Sequence, residues 1–197
     1  MAADNFLWFP EPAKGGILAA ANAKASQPEG ETTDTWFKKK KALEVLSFNF
    51  SVAQAETSGS GSTGAGAGKA KFEDFTIEKF VDMSSVPLYV ACAAGAHFPT
   101  VMLAIRKAGG SNLLYLQYCF RMVFVTNISW SGGGGEEAFK ETIKFRFGAM
   151  GIQYQQQMAD GTAGTKQIGL WNTTNNSPNL DVAGLGSAPP FLLPLQA

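Results

Sequence analysis

A glycine loop is the first feature of this sequence that could do chemistry. Gly59, Gly61 and Gly64 satisfy the spacing G-x-G-x-x-G, which in a dinucleotide site opens a helix whose N-terminus meets the pyrophosphate. Gly66 and Gly68 follow at once and strongly disfavour a helix. We therefore predict that 54–69 is an extended flexible loop, and that the protein binds no nucleotide or other cofactor.

Acid–base and metal chemistry would depend on one histidine and a few carboxylates. His97, the only histidine, has no acid–nucleophile pair near it in the sequence, and we interpret it as structural. The densest carboxylates have no partner base, and we interpret them as solvated or helix-start charges: Glu73, Asp74, Glu78 and Asp82. The sequence therefore predicts no catalytic residue, no metal site and no enzymatic activity.

Composition excludes some partners and permits others. Lysine plus arginine equals aspartate plus glutamate, so the formal net charge is zero and there is no basic stripe for nucleic acid. A neutral surface permits copies of the chain to associate.

Lys38 to Lys41 are interpreted as a solvated strand edge, with a functional polybasic patch as the alternative. Cys92 and Cys119 read as reduced thiols of a protein made in the cytosol.

The apolar runs are too short or too interrupted to insert into a membrane. The most apolar run, 113–125, contains Gln117 and Arg121, and the N-terminus lacks the basic and apolar regions of a secretory signal. We therefore expect no membrane insertion and no signal-dependent export.

Strands must position any site in this chain. Residues 113–125 alternate, with one face predicted to hold Leu114, Leu116, Tyr118, Phe120, Met122 and Phe124. After Gly132 to Gly135 a second alternating run places Phe139, Ile143, Phe145 and Phe147 on one face. Two such runs around a glycine loop predict an antiparallel hairpin in a sandwich or barrel.

Shorter elements complete the predicted fold. We expect strands over 5–9, 43–52, 72–81, 100–106, 148–158 and 168–173, with Phe75, Ile77 and Val81 inward on the third of these. A short helix is predicted over about 85–95, with Ser84 or Ser85 capping its start and Gly95 its end. We read 10–35 as a surface insertion and 175–197 as a C-terminal extension that is either disordered or docked in a groove.

The strand over 43–52 has an unusual polar face. Ser47, Asn49 and Ser51 are small and uncharged, where an ordinary solvent face would carry lysine, glutamate or threonine. Such a face suits a surface that meets another protein or lines a passage, and a plain solvated strand is the alternative. The loop that follows could take a shape by lying on a partner.

Several motifs together resemble the haemolysin-coregulated protein (Hcp) family, the tube protein of the bacterial type VI secretion system. They lie at 46–50, 75–82, 84–85, 91–99, 103–110, 132–136, 154–157 and 159–161. The block over 77–110 is specific, whereas the glycine loops are not. The resemblance covers about 42–174 and the strand at 5–9.

The resemblance implies a fold and an assembly. The fold would be mainly β, a small β-barrel of two antiparallel sheets with one short α-helix, in a domain over 1–174. Subunits would close into hexameric rings that stack into a tube, and the tube would be propelled out by a sheath and exported with small effectors. Sheath and spike-tip proteins of the machine would be further partners.

Site residues follow from the resemblance in the same way. Ser47, Asn49 and Ser51 would line the bore and meet effectors. The loop after the second strand would reach the next ring, through Gly59, Gly61, Gly64, Gly66, Gly68 and Lys69. The alternatives are a tail-tube protein of another contractile injection machine, or a small ligand-binding or enzymatic β-barrel with a polar pocket.

Overall fold

The computed structural model describes residues 3–17, 27–56, 67–107, 114–134, 138–158, 162–189 and 191. The first half of the chain has strands β1 (Ala3–Trp8), β2 (Leu43–Glu44), β3 (Ser47–Asn49), β4 (Val52–Glu56), β5 (Ala67–Phe72) and β6 (Phe75–Phe80), with a 3₁₀ turn at Phe37–Lys40. The second half has helix α1 (Ser85–Ala94) and strands β7 (His97–Lys107), β8 (Leu114–Ser131), β9 (Lys140–Gln157) and β10 (Ala163–Asn172).

The described strands form two antiparallel sheets, which confirms the predicted fold class. The larger sheet has eight strands in the order β2-β1-β7-β8-β9-β6-β3, with β10 also paired to β9. The smaller sheet is the β4–β5 hairpin. The hydrogen-bonded path of the larger sheet is open, because it ends at β2 on one side and at β3 on the other, so this sheet does not close into the predicted barrel.

Both ends of that path belong to one stretch of chain. Leu43 and Glu44 pair with β1, and Ser47 to Asn49 pair with β6. Between them the Val45 amide donates to the carbonyl of Asn5, and the Leu46 amide donates to that of Glu78. The single strand predicted over 43–52 is therefore wrong: it is divided into β2, β3 and β4, because the chain crosses from one sheet edge to the other.

The larger sheet is covered on both faces. Leu7, Val101 and Leu103 belong to a first buried cluster, and their neighbours Phe6 and Met102 belong to a second. Because successive side chains of a strand point to opposite faces of the sheet, each of these strands contributes side chains to both buried clusters. Rings of Phe75 and Phe120 stack in the first, with centroids 4.6 Å apart.

The alternation predicted along β8 changes phase within the strand. Tyr118 and Phe120 lie in the first cluster, but so do Val123 and Val125, whereas Met122 packs against the second. Met122 has a left-handed backbone with φ of 52°, which shifts which side chains face the first cluster. The expectation that Met122 and Phe124 share the Phe120 face is therefore wrong.

Strand β9 changes phase at the matching position. Phe145 and Phe147 lie in the first cluster, Ala149 lies in the second, and Met150 returns to the first. A Cβ on Gly148 would stand 3.3 Å from the Cβ of Met122, so the glycine gives that residue room. The stretch 148–158, predicted as a separate strand, is the second half of β9.

Two further expectations fail at the ends of strands. Val81, predicted to point inward, lies beyond β6 and is 44% exposed, and the last inward position is Lys79. Phe139, predicted to share the buried face of β9, precedes that strand and is 53% exposed. In both places a charged residue, Lys79 or Glu141, occupies the buried side instead.

The helix has the predicted extent and C-terminus, but a different N-terminal cap. Leu88 and Ala91 are buried, and Gly95 ends the helix with φ of 62°. Neither serine supplies a side-chain cap bond to the first turn. Instead the Asp82 carboxylate accepts the backbone N–H of Ser84 at 2.9 Å, while Ser85 accepts the N–H of Asp82.

The described part of the C-terminal segment packs against the second cluster. Leu180 and Val182 are buried there, and Phe191 packs beside them. The guanidinium of the buried Arg121 donates to the carbonyl of Gly186 and to the Thr100 hydroxyl. The described residues of the C-terminal segment are therefore docked on the sheet. Residues 192–197 lie outside the described ranges. The domain boundary at 174 stays a prediction.

No helix among the described residues has both the length and the apolar character that crossing a membrane would require.

Truncating the stacked ring at the centre of the first cluster tests the assigned core. Phe120→Ala should lower the free energy of unfolding by about 3–5 kcal/mol, because the ring has no exposed surface and its removal leaves a cavity. Urea unfolding followed by tryptophan fluorescence measures the change. Phe139→Ala, the same truncation at a half-exposed ring, should cost less than about 1 kcal/mol. Equal losses in the two variants would contradict this core.

Candidate lumen and assembly surfaces

The three small polar residues predicted to line a passage lie on one side of their segment. Ser47, Asn49 and Ser51 are exposed, whereas Phe48 and Phe50 between them pack against the first cluster. The Phe50 ring meets that of Tyr118 edge-on, with centroids 5.3 Å apart. Burial of the two aromatic rings therefore fixes the outward direction of the polar side chains.

Polar side chains of β6 lie beside this polar strip. The Ser47 hydroxyl lies 3.4 Å from a carboxylate oxygen of Glu78, which itself forms an exposed ion pair with Lys140 at 3.2 Å. Thr76 stands opposite Asn49 on β6. Such a surface can offer hydrogen bonds to a passing molecule without holding it by a strong charge.

The predicted stacking loop is carried by a hairpin. Gly59, Gly61, Gly64 and Gly66 lie outside the described residues, and Gly68 and Lys69 belong to β5. Val52 pairs with Phe72 and Glu56 with Ala67, so β4 and β5 bring the two ends of the loop together. The first described element after the glycine motif is the strand β5, whereas a dinucleotide site has a helix in that place.

A buried ion network that the sequence analysis missed lies where β6, α1 and β9 meet. The Lys79 ammonium, with no exposed surface, lies 2.6 Å from Asp82 and 2.8 Å from Glu141. It also donates to the carbonyl of Phe80 at 2.8 Å. Ser85 donates to Glu141 at 2.7 Å, so the first turn of α1 is bonded to the sheet.

The second carboxylate oxygen of Glu141 accepts a hydrogen bond from a side chain at the surface. The indole N–H of Trp130 donates to it at 2.8 Å, and the Trp130 side chain is 52% exposed. The ring of Tyr89 on α1 lies 6.1 Å from that of Trp130. The buried network therefore fixes the orientation of an exposed aromatic side chain.

Part of this network could have been recognised from strand periodicity. Lys79 lies two residues after Ile77, so the alternation of the strand places it on the same inward face as Phe75 and Ile77. Glu141 lies two residues before Ile143 and is on the inward face of β9 for the same reason. Reading Asp82 only as a helix-start charge was incomplete, since its side chain is 15% exposed and pairs with Lys79.

A second charge cluster fixes the segment between β1 and β2. Arg106 pairs with Asp4 at 3.0 Å and with Asp34 at 2.7 Å, and its guanidinium lies over the Phe6 ring. Burial alone would raise the pKa of Asp34, but hydrogen bonds from the backbone of Phe37 and from Arg106 hold that pKa below its usual value. These ion pairs connect β7 to β1 and to Asp34, so the cluster holds the segment before β2 against the sheet.

The titratable residues considered for catalysis are dispersed. The His97 ring packs against Phe124 with centroids 5.4 Å apart, and burial, with a smaller effect of Lys14, lowers its pKa. Burial raises the pKa of Cys119 to about 12, so that thiol is unreactive near neutral pH. Within the described ranges, no group of three or more histidine, cysteine, aspartate or glutamate side chains could hold a metal ion.

Comparison with known proteins gives one consistent family. Residues 20–154 match the family model described as "Type VI secretion system effector, Hcp". The chain is 37% identical over 111 residues to Protein hcp1 of Pseudomonas aeruginosa, an alignment that covers 55% of this chain and 68% of that protein.

Solved structures agree with the sequence match. The fold is similar to a structure of a type six secretion system protein, with a TM-score of 0.75 and 29% identity, covering 90% of this chain and 100% of that one. It is also similar to Hcp1 from Salmonella typhimurium, with a TM-score of 0.68 and 28% identity, covering 91% of this chain and 100% of that one.

Removing the buried ammonium tests the network. Lys79→Met should lower the free energy of unfolding by about 3–5 kcal/mol, because Asp82 and Glu141 would remain buried without their cation. Adding Glu141→Gln should restore part of the loss. Chemical denaturation measures both variants.

The exposed pair of Lys14 and Glu11, 2.6 Å apart, provides the matched control. Lys14→Met should change stability by less than about 1 kcal/mol, since exposed ion pairs contribute little. Similar losses for Lys14→Met and Lys79→Met would contradict the importance assigned to burial.

Proposed function

The chain belongs to the Hcp family of type VI secretion proteins, and on that premise we propose that it is a structural subunit of the secretion tube, forming hexameric rings that stack around a central bore. The observation that carries the proposal is the family match over 20–154, which includes β3, the β4–β5 hairpin and α1. A type VI tube subunit acts by assembly, so its function depends on surfaces and not on a catalytic centre.

The polar strip of Ser47, Asn49 and Ser51 is the proposed lumen surface. Support comes from the exposure of all three side chains and from their small, uncharged chemistry. A wall of this kind lets folded cargo form weak hydrogen bonds and still move, because strong binding would hold the cargo in the tube. Small secreted effectors are the cargo that fits this surface.

The β4–β5 hairpin and the loop it carries are the proposed contact between stacked rings. Lys69, which is exposed on β5, and the glycines Gly59, Gly61, Gly64, Gly66 and Gly68 belong to this contact. Pairing of β4 with β5 supports the role, since it gives the loop a stable base. Sheath and spike-tip proteins are the further partners expected of a type VI tube, which would leave the bacterial cytoplasm through the machine.

Negative-stain electron microscopy of the purified protein tests the assembly. We expect rings with a central hole, alone or stacked. Small uniform particles at high protein concentration would contradict the proposal that the subunit assembles by itself.

A bulky residue in the strip tests the lumen assignment. Asn49→Trp should leave ring formation intact and reduce the amount of effector that copurifies with the rings at least tenfold, because the indole crowds the bore. Asn175→Trp, the same change at an exposed asparagine outside the strip, should leave copurification unchanged. Copurification measured by quantitative mass spectrometry compares them, and an unchanged yield for Asn49→Trp would remove Asn49 from the lumen.

A further inference from the structure

The outer side of α1 is apolar although it faces solvent. The helix, with sequence SVPLYVACAA, contains no charged side chain. Leu88 and Ala91 are buried beneath it, while Val86 is 68% exposed and Tyr89 is 53% exposed. A helix that is apolar all round is typical of helices covered on every side. The described part of the chain covers only one side of this helix.

The exposed side continues from α1 into a larger surface, here called the α1 surface. Tyr89 lies against Trp130 of β8, and the amide of Val81 donates to the carbonyl of Phe139 at 2.9 Å. The members of the α1 surface are each 44–68% exposed: Val81, Met83, Val86, Tyr89, Trp130 and Phe139. A group of exposed apolar side chains of this kind is typical of a protein-binding site.

The α1 surface is also held rigid. Trp130 is bonded through Glu141 to the buried Lys79, and Ser85 at the start of α1 is bonded to the same carboxylate. Tryptophan and tyrosine dominate binding energy at protein interfaces. An aromatic side chain already held in position loses little conformational freedom on binding, which favours affinity.

A second apolar surface lies on the other side of the sheet. A groove between β10 and the C-terminal segment is lined by Ile168, Leu170, Pro189 and Phe191, and Ile168 is 57% exposed. Leu170 and Phe191 pack on the second cluster, whereas Leu88 of α1 belongs to the first. The two surfaces therefore lie on opposite sides of the sheet and differ in shape and residues.

We propose that the α1 surface is where a second copy of this chain docks. Two unlike apolar surfaces on opposite sides of one subunit are what a head-to-tail contact between identical copies needs, and such contacts close into rings. The zero formal net charge of the chain favours an identical copy over a partner selected by charge. The inference rests on the proposed function and adds to it the surface through which neighbours in a ring meet.

Protection of a thiol on the α1 surface tests the proposal without disrupting the contact. In a Cys92→Ala background, Val86→Cys places a thiol on the α1 surface, and Met158→Cys places one just beyond β9, at an apolar site outside every proposed contact that is 47% exposed before substitution. Cys119 is buried and, with its raised pKa, does not react. Maleimide labelling of single rings isolated by size exclusion should be at least tenfold slower for the Val86→Cys variant than for the Met158→Cys control.

Disruption of the surface gives a second, independent measurement. Val86→Asp should convert rings to monomers in native mass spectrometry, whereas Met158→Asp should leave the ring mass unchanged. Both substitutions are at exposed positions, so circular dichroism should show an unchanged fold. Rings that survive Val86→Asp, or equal labelling rates of the two thiols, would overturn the docking surface while leaving the tube function in place. A wild-type chain that stays monomeric at high concentration would overturn both.

Discussion

An ammonium group with no contact with water determines how one end of this fold is arranged. A buried charge is tolerated only when other groups replace its hydration, and the Lys79 amine meets Asp82, Glu141 and the Phe80 carbonyl. These partners come from the end of β6, the lead-in to α1 and the start of β9. The three elements must therefore meet at one point, which sets the position of α1 on the sheet.

The sheet meets a second constraint, since it must bury side chains on both faces. Alternation alone would give β8 and β9 one fixed set of inward residues along their whole length. The phase change at Met122 and Gly148 lets each strand change which side chains enter the first cluster. Because both strands change phase at paired positions, the ladder continues past the irregularity.

Period-two patterning was sufficient to predict most of the strands and the exposure of Ser47, Asn49 and Ser51, while the terminal signals at 84–85 and Gly95 predicted the helix. The patterning was not applied to the charged residues Lys79 and Glu141, although each lies two residues from an inward isoleucine and is therefore on the buried face of its strand. The phase change could not be predicted, because methionine carries no signal for a left-handed backbone. The division of 43–52 depends on pairing with both β1 and β6, which is a long-range property.

The lumen and the contacts between copies cannot be read from one chain for a different physical reason. A side chain is exposed in a subunit whether it faces the bore, a neighbour or bulk water, so exposure alone does not separate these cases. Chemistry does separate them in part. Ser47, Asn49 and Ser51 remain compatible with water in every case, whereas Val86, Tyr89 and Trp130 leave apolar area exposed in an isolated subunit. An isolated subunit that exposes both surfaces therefore gains more free energy when a partner covers the apolar surface than when it covers the polar strip, because only the apolar side chains are unfavourably hydrated.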